Sequence, residues 1–226
     1  MAAGYIRCKK ELARRGDICY DAAMKYPFES LLTGLLMLLS LWSYTHAYDG
    51  QVWWTEMAAV LVLLPLFWVL QRRRTFSPLA TSMLFLWFFL QVVGACYTFE
   101  RVPLESLFHA LGCERNHYDR IAHFVVGLNA VGVADLLWRQ RCVVSARVAA
   151  VASVICIMAL ANFWELVEWL YAEWDGGSAG AAFLGSQGDI WDAQKDMLMD
   201  TLGAVVGAVL YGVYRRMVRR RSEADS

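Results

Sequence analysis

The chain has 226 residues, of which 58% are apolar and 14% aromatic, with ten tryptophans. Ordinary soluble domains are roughly 45–50% apolar, so this composition excludes one. The 21 basic and 21 acidic residues balance, and a chain without a basic excess is not expected to have a nucleic-acid partner.

Six apolar runs follow one another along the chain, each near the roughly 20 residues that cross a hydrocarbon layer of about 30 Å. The first run begins behind the polar residues 1–26 and is long enough to span, which argues against a secretory signal peptide. Pro65, inside the second run, is predicted to kink that helix without ending it. The predicted spans are 28–46, 52–70, 78–99, 119–137, 148–171 and 192–213.

Lysine and arginine alternate between the connections of these spans. The connections predicted to be outside are poor in both: 47–51 and 173–191 have none, and 100–118 has two. The basic segments are 1–26, 71–77, 138–147 and 214–226, with six, three, three and five. The positive-inside rule therefore predicts six transmembrane helices with both termini cytoplasmic. The expected fold is all-α: a polytopic membrane protein with a single integral domain over 1–226, a bundle over 28–213 and a basic tail from 214.

The last predicted span has a polar stripe on one face. At 100° per residue its acids fall within about 80° of each other, and two glycines continue the stripe. The stripe consists of Asp189, Asp192, Asp196, Asp200, Gly203 and Gly207. The glycines form G-x-x-x-G, which predicts close helix packing. Asp189 also fits a helix N-cap, with Asp192 in the first turn, where the helix dipole favours acids.

The predicted topology brings polar residues of the fourth and fifth spans to the same outer depth. These residues are Asn116, Asp119, His123, Asn162, Glu165 and Glu168. An acid within the bilayer costs at least about 2.5 kcal/mol on insertion scales, so it is usually buried and functional. His123, Glu165, Asp196 and Asp200 lie a turn or more inside, which favours a site or an obligatory polar network. Asp119, Glu168, Asp189 and Asp192 fit an interfacial position equally well.

Several local features carry smaller predictions. Asn129 and Asp135 lie off the polar stripe, and Asp135 is expected to form a surface pair with Arg139 one turn later. Residues 173–188 are rich in glycine and acids, and are predicted to be a loop. Cys96 and Cys113 both fall on the outer side, where two unpaired thiols are favoured over a disulfide.

Three motifs in the membrane region resemble a known family. They cover residues 115–124 (Arg-Asn-His-Tyr-Asp-Arg-Ile-Ala-His-Phe), 164–169 (Trp-Glu-Leu-Val-Glu-Trp) and 185–197 (Gly-Ser-Gln-Gly-Asp-Ile-Trp-Asp-Ala-Gln-Lys-Asp-Met). Together they are similar to the YjdF-type family of bacterial inner-membrane proteins. The resemblance implies a multi-pass architecture over nearly the whole membrane region. It does not imply any particular activity.

A second resemblance, to VanZ-like membrane proteins, is confined to three helices. The matching positions are Asp119, His123, Glu165, Glu168, Asp196, Gly203 and Gly207. Asp200 stands where those proteins usually have asparagine. The aspartate adds a negative charge, so the resemblance does not imply a shared substrate. The resemblance implies a common three-helix core.

The residues themselves favour a metal-dependent membrane enzyme that acts on a lipid or a lipid-linked envelope precursor. His123, Glu165 and Asp196 are suitable ligands for Zn²⁺, Mn²⁺ or Mg²⁺, and leave a position open for water. Glu168 or Asp200 would then be the general base. The remaining site-lining candidates are Asp119, Asp189, Asp192, Lys195 and Asn162. The lipid bilayer is the expected partner.

Two other functions remain open at this point. A cation- or proton-coupled transporter would use the carboxylates, His123 and Lys195, but needs a polar path through the inner half, where Asn129 stands out alone. A non-catalytic envelope assembly or homeostasis factor would use the acidic network only to lock helices together. The chain has no H-E-x-x-H motif, so the metal hypothesis depends on residues brought together by folding.

Overall fold

The structure is a computed structural model that describes residues 26–73, 75–175 and 177–224. These residues form helices joined by short connections, without strands. The predicted basic segment 1–26, with Cys8 and Cys19, lies almost entirely outside the described residues. The helices are α1 (Pro27–His46), α2 (Gly50–Gln71), α3 (Pro78–Tyr97), α4 (Glu105–Ala110), α5 (Tyr118–Leu128), α6 (Ala130–Arg139), α7 (Ala146–Asp175), α8 (Ser178–Leu184) and α9 (Asp192–Ala224).

Five helical segments are long and apolar enough to cross a membrane: α2, α3, α5 with α6, α7 and α9. The all-helical membrane fold is therefore as the sequence predicts. The first predicted span coincides with α1, a helix of 20 residues that is not among these five. Pro65 lies inside α2 without ending it.

Aromatic packing holds α1, α2 and α3 together. The Phe85 ring meets Phe67 and Phe88 edge-on, with centroids 5.4 and 5.5 Å apart. Trp53 Nε1 donates to Ser43 Oγ at 2.9 Å, and that hydroxyl donates to the Val92 carbonyl, also at 2.9 Å. The Trp53 indole and the Ser43 hydroxyl thus join the three helices, and both of these buried polar groups are hydrogen-bonded.

Glycine packing holds α5 against α9. A Cβ placed on Gly203 would strike the Phe124 carbonyl oxygen, and one on Gly127 would strike the Asp200 carbonyl oxygen. A Cβ on Gly207 would lie 2.8 Å from the Leu128 carbonyl oxygen. The predicted close packing through G-x-x-x-G is confirmed, and the acidic stripe of α9 consequently faces α5.

The fourth predicted span, 119–137, is two helices rather than one. α5 ends at Leu128. Asn129 follows with a ψ of −2°, compared with about −42° in a regular α-helix, and this change interrupts the helix. Its side-chain Nδ2 donates to the Val125 and Val126 carbonyls at 3.1 and 3.2 Å, and its own carbonyl accepts from Val133 N at 3.0 Å. The asparagine side chain therefore satisfies carbonyls at the break.

The prediction that residues 173–188 form a loop is wrong in two places. α7 continues to Asp175, and α8 occupies Ser178–Leu184. The small residues of α8 allow it to lie on α7, since a Cβ on Gly180 would be 2.9 Å from Ala172 Cα. Phe183 is buried beneath α8 against Tyr171, with centroids 5.0 Å apart. Tertiary packing overrides the loop-like composition.

The predicted pair of Asp135 and Arg139 is present, but its predicted surface position is wrong. Arg139 Nε lies 3.7 Å from Asp135 Oδ1, yet Asp135 is only 2% exposed. Its Oδ2 accepts a hydrogen bond from Ser77 N at 2.8 Å, so it also caps the connection before α3. Cys96 and Cys113 are both free thiols.

The close approach of α5 and α9 predicts a position-specific effect on stability. Gly203→Ala is expected to lower the free energy of unfolding by about 1–3 kcal/mol, because the new methyl group collides with rigid backbone. Gly212→Ala in the same helix is the matched control, since nothing lies within 4 Å of a Cβ there. It should be neutral or stabilising by up to about 1 kcal/mol. Circular dichroism during unfolding in mixed micelles measures both, and equal effects would contradict the packing.

Candidate functional site

A cavity of about 330 Å³ lies inside the helix bundle. Its walls come from α2, α3, α5, α6, α7, α8 and α9, and most of its lining is apolar. The ionisable groups that reach it are Glu56, Asp119, His123, Glu168 and Asp200. An apolar chamber with a few converging polar groups is the usual form of a small-molecule site.

Two cavity-lining residues, Asp119 and His123, form with the neighbouring Asp196 a group that could hold a metal ion. Asp119, His123 and Asp196 each offer one ligand atom, and these atoms all lie within 4.8 Å of one another. Asp119 and His123 are one turn apart on α5, and Asp196 comes from the stripe of α9. One imidazole and two carboxylates form an N/O set that suits Zn²⁺, Mn²⁺ or Mg²⁺.

His123 is held in place by a carboxylate behind it. Its Nδ1 lies 2.8 Å from Asp200 Oδ2, and its Nε2 lies 3.6 Å from Asp119 Oδ1. Asp200 is only 1% exposed. With Nδ1 donating to Asp200, Nε2 has a free lone pair directed toward Asp119. Metal-ligating histidines in proteins are oriented by carboxylates in this way.

Several carboxylate oxygens at this place lack donors. Within the described residues, nothing donates to Glu165 Oε1, Asp196 Oδ1 or Asp200 Oδ1, all of which are enclosed. A buried oxygen without a hydrogen bond costs roughly 1–3 kcal/mol, and more when charged. A cation bound among these oxygens would remove that cost, so the residues present fit a metal ion.

A cluster of ion pairs joins the N-terminal ends of α5 and α9. Arg115 Nη1 lies 2.5 Å from Asp192 Oδ1, Arg120 Nη2 lies 2.5 Å from Asp189 Oδ2, and Lys195 Nζ lies 2.6 Å from the same oxygen. The hydrogen bond from Lys195 holds the pKa of Asp189 well below its usual range, with the Trp191 backbone N–H adding to it. These acids are thus neutralised by protein cations.

Hydrogen bonds between Asn116 and Gln187 join the first and third motifs. The Asn116 backbone N donates to Gln187 Oε1 at 3.0 Å, and Gln187 Nε2 donates to the Asn116 carbonyl, also at 3.0 Å. Asn116 Nδ2 donates to the Val102 carbonyl at 2.7 Å. The amide pair fastens the segment before α5 to the segment before α9, and so positions Arg115 beside Asp192.

The structure separates the predicted site residues into groups. His123 and Asp196 lie close together, with Asp119 as the third member of the group, and their role as metal ligands stays a prediction. Glu165 lies outside that three-residue group, and its role as a ligand also stays a prediction. Asp189, Asp192 and Lys195 belong to the ion pairs at the start of α9. Asn162 is exposed, with Nδ2 3.9 Å from Met197 Sδ, and is not among the cavity-lining residues described.

Sequence reasoning missed Glu56, Gln91 and the role of the arginines. Glu56 lies in the second turn of α2 and lines the cavity, and its Oε2 accepts from Gln91 Nε2 at 2.9 Å. An acid inside an otherwise apolar span was the available signal. Asn129, which the sequence placed off the polar stripe, also lines the cavity. Arg115 and Arg120 show no helical periodicity in the sequence, because Arg115 lies before the start of α5.

Comparison with known proteins extends these observations. Residues 28–217 match the family described as "Predicted membrane protein (DUF2238)". The chain is 34% identical over 190 residues to "Inner membrane protein YjdF" of Escherichia coli (strain K12), covering 82% of this chain and 90% of that relative. No solved structure matches. The resemblance to YjdF-type proteins is confirmed, and the chain belongs to the DUF2238 family of membrane proteins.

Proposed function

We propose that this protein is a metal-dependent enzyme of the bacterial inner membrane that acts on a lipid or a lipid-linked envelope precursor. It has six spans with both termini in the cytoplasm, so the metal group lies at the depth of the outer leaflet. The observation that carries the proposal is the group of Asp119, His123 and Asp196, of which the first two line a mainly apolar cavity. Enclosed carboxylate oxygens without donors lie beside it.

Asp119, His123 and Asp196 would hold the ion, with Asp200 fixing the ring of His123. Bound there, a divalent ion would supply a Lewis acid for an ester or phosphate group and lower the pKa of a bound water. Asp200 therefore positions a ligand instead of serving as the base. This assignment follows from its 2.8 Å contact with His123 Nδ1 and its near-complete burial.

Glu168 is the proposed general base. It lies on α7 and lines the cavity, and no hydrogen-bond donor contacts its carboxylate among the described residues. A carboxylate that is open to the cavity can accept the proton of an attacking water. Glu165, one turn earlier on α7, has one oxygen enclosed and unpartnered, and is the proposed fourth ligand.

The cavity itself supports a lipid over a hydrophilic substrate. Leu63, Leu84, Val126 and Leu160 are among its lining residues, and the acids gather at one end. An acyl or isoprenyl chain would bury its apolar surface there at about 25 cal/mol per Å², with the head group at the ion.

The inner end of the cavity argues against a transporter. It is lined by Val133 and Ile157, with Asn129 as the polar residue in that half. A charged ion passing these side chains would lose its hydration without replacement. The described residues therefore favour a substrate that enters and leaves on one side.

The metal assignment predicts the metal content of purified variants. His123→Ala and Asp196→Asn are expected to remove bound metal, because each deletes one of three ligands. Asp200→Asn is expected to weaken affinity about 10–100-fold, since it removes the partner that orients the ring. Mass spectrometry of the metal in purified protein measures each. Asn162→Ala is the control and should retain the wild-type content.

Wild-type protein without a stoichiometric divalent metal, after loading with Zn²⁺, Mn²⁺ or Mg²⁺, would refute the assignment. Equal metal content in the His123 and Asn162 variants would do the same.

The assignment of Glu168 as the general base predicts that one substitution can lower the catalytic rate without changing metal binding. Glu168→Gln is expected to keep its metal but lose at least about 100-fold in rate, the usual contribution of general base catalysis. The measurement incubates purified protein with a total bacterial lipid extract and follows lipid products by mass spectrometry. A wild-type protein with full metal that changes no lipid would favour the non-catalytic role. A Glu168→Gln variant as active as the wild type would assign the base elsewhere.

The six-span topology predicts which natural cysteines are reachable from outside the cell. In single-cysteine variants, Cys113 in the outer connection should react with a membrane-impermeant maleimide in intact cells. Cys142, exposed in the connection after α6, should react only after permeabilisation. The reverse pattern would invert the topology, and it would place the metal group at the inner leaflet.

A further inference from the structure

A second polar group faces the cavity from the wall formed by α2 and α3. Glu56 and Gln91 are each 5% exposed, and both line the cavity. Gln91 Nε2 donates to Glu56 Oε2 at 2.9 Å and to the Glu56 carbonyl at 3.2 Å. The amide is thus fixed, with both donor bonds spent on one residue of the neighbouring helix.

The remaining oxygens of this pair face the cavity as free acceptors. Neither Glu56 Oε1 nor Gln91 Oε1 has a hydrogen-bond partner among the described residues, and neither is among the fully enclosed unpartnered atoms. Each therefore retains access to the chamber that both residues line. This distinguishes them from Glu165 Oε1 and Asp196 Oδ1, which are enclosed. A small ligand in the cavity can reach the first pair of oxygens.

Glu56 lies in a cavity whose lining includes three other carboxylates, those of Asp119, Glu168 and Asp200. Arg115, Arg120 and Lys195 cannot neutralise them, because those cations are engaged with Asp189 and Asp192 at the start of α9. Of the cavity-lining residues, only His123 is basic. Acceptors and negative charge thus exceed donors.

We propose that Glu56 and Gln91 form a subsite for the protonated primary amine of a ligand whose phosphate or ester lies at the metal group. An ammonium has three N–H donors and no acceptor, and Glu56 Oε1 and Gln91 Oε1 are two free acceptors in the cavity. Its charge compensates carboxylates that those protein cations do not reach. This subsite rests on the proposed function only in that the amine-bearing ligand is the substrate.

A second metal ion fits these residues less well. Among the described residues, Glu56 belongs to no group of three ligand atoms within 4.8 Å. Divalent ions need several carboxylate or other oxygen ligands, whereas an ammonium needs at most three acceptors, one of which can be an amide oxygen such as Gln91 Oε1. Glu56 lies six residues into α2, about 9 Å along the helix from Gly50 at 1.5 Å per residue. That depth suits a lipid head group.

The test compares lipid selectivity in wild type and Glu56→Gln. Each protein is incubated in nanodiscs containing equal dioleoyl phosphatidylethanolamine, phosphatidylcholine and phosphatidylglycerol, repurified, and its retained lipid is quantified. Wild type should retain phosphatidylethanolamine preferentially. Glu56→Gln should reduce that preference about tenfold, because it loses a charged hydrogen bond. Phosphatidylcholine, a cation without N–H donors, should be disfavoured by both proteins.

Glu29→Gln is the matched control, since Gln71 Nε2 donates to Glu29 Oε1 at 2.9 Å in a similar pair that does not line the cavity. It should keep the wild-type selectivity. Gln91→Met is a second variant within the same pair, and should lose selectivity even if Glu56→Gln fails to fold. Free ethanolamine, added as a competitor, identifies the source of the amine: displacement of the lipid indicates a free amine, and retention indicates a lipid head group.

Equal retention of the three lipids by the wild type, without binding of free ethanolamine, would overturn the proposal. Unchanged selectivity in both the Glu56 and Gln91 variants would also overturn it. Metal content measured in the same samples keeps the two proposals separate. Loss of amine selectivity with full metal supports the subsite, and selectivity without metal would leave the subsite standing while the metal assignment fails.

Discussion

The contact between α5 and α9 is the constraint on which the candidate site depends. Gly127 and Gly203 have no side chain, and so the backbones of the two helices meet directly. That approach places His123 2.8 Å from Asp200 and brings Asp196 within reach of Asp119. A larger residue at either glycine would separate the helices and disperse these groups. Backbone packing and site geometry are therefore one property of the same interface.

Charge compensation then divides the acids of α9 by their position along the helix. Asp189 and Asp192, at the start of α9, are paired with Arg115, Arg120 and Lys195. Further along α9, Arg120 Nε lies 3.9 Å from Asp196 Oδ1, and the imidazole of His123 lies 2.8 Å from Asp200 Oδ2. Among the described residues, the second two acids therefore receive less compensating positive charge than the first two.

Much of this arrangement follows from sequence periodicity. The 100° spacing of the acids and glycines on α9 predicted both the polar stripe and the close packing, because a rigid helix carries its periodicity directly into space. The pairing of His123 with Asp196 came from assigning both to the outer depth. Sequence did not reveal that Asp119 is the third member, nor that Asp200 lies behind the ring. Those distinctions depend on helix rotation and register.

Other features were beyond sequence reasoning for different reasons. The break at Asn129 has no proline to mark it, and it depends on side-chain hydrogen bonds to carbonyls. α8 was read as a loop, since its small residues become helical by lying on α7. The partnership of Glu56 with Gln91 joins two helices 35 residues apart in sequence, and single-chain patterns do not register such pairs.

α8 has one more consequence, which concerns the width of the cavity. It lies against α7 and also contacts α2, while Gln51 Nε2 donates to Tyr171 OH at 2.9 Å to join those helices. Asp175 Oδ2 accepts from the Gly180 backbone N at 2.8 Å and fastens α8 to the end of α7. This strut fixes the separation of the walls that carry Glu56 and Glu168. The short helix is thus a structural determinant of the width of the cavity.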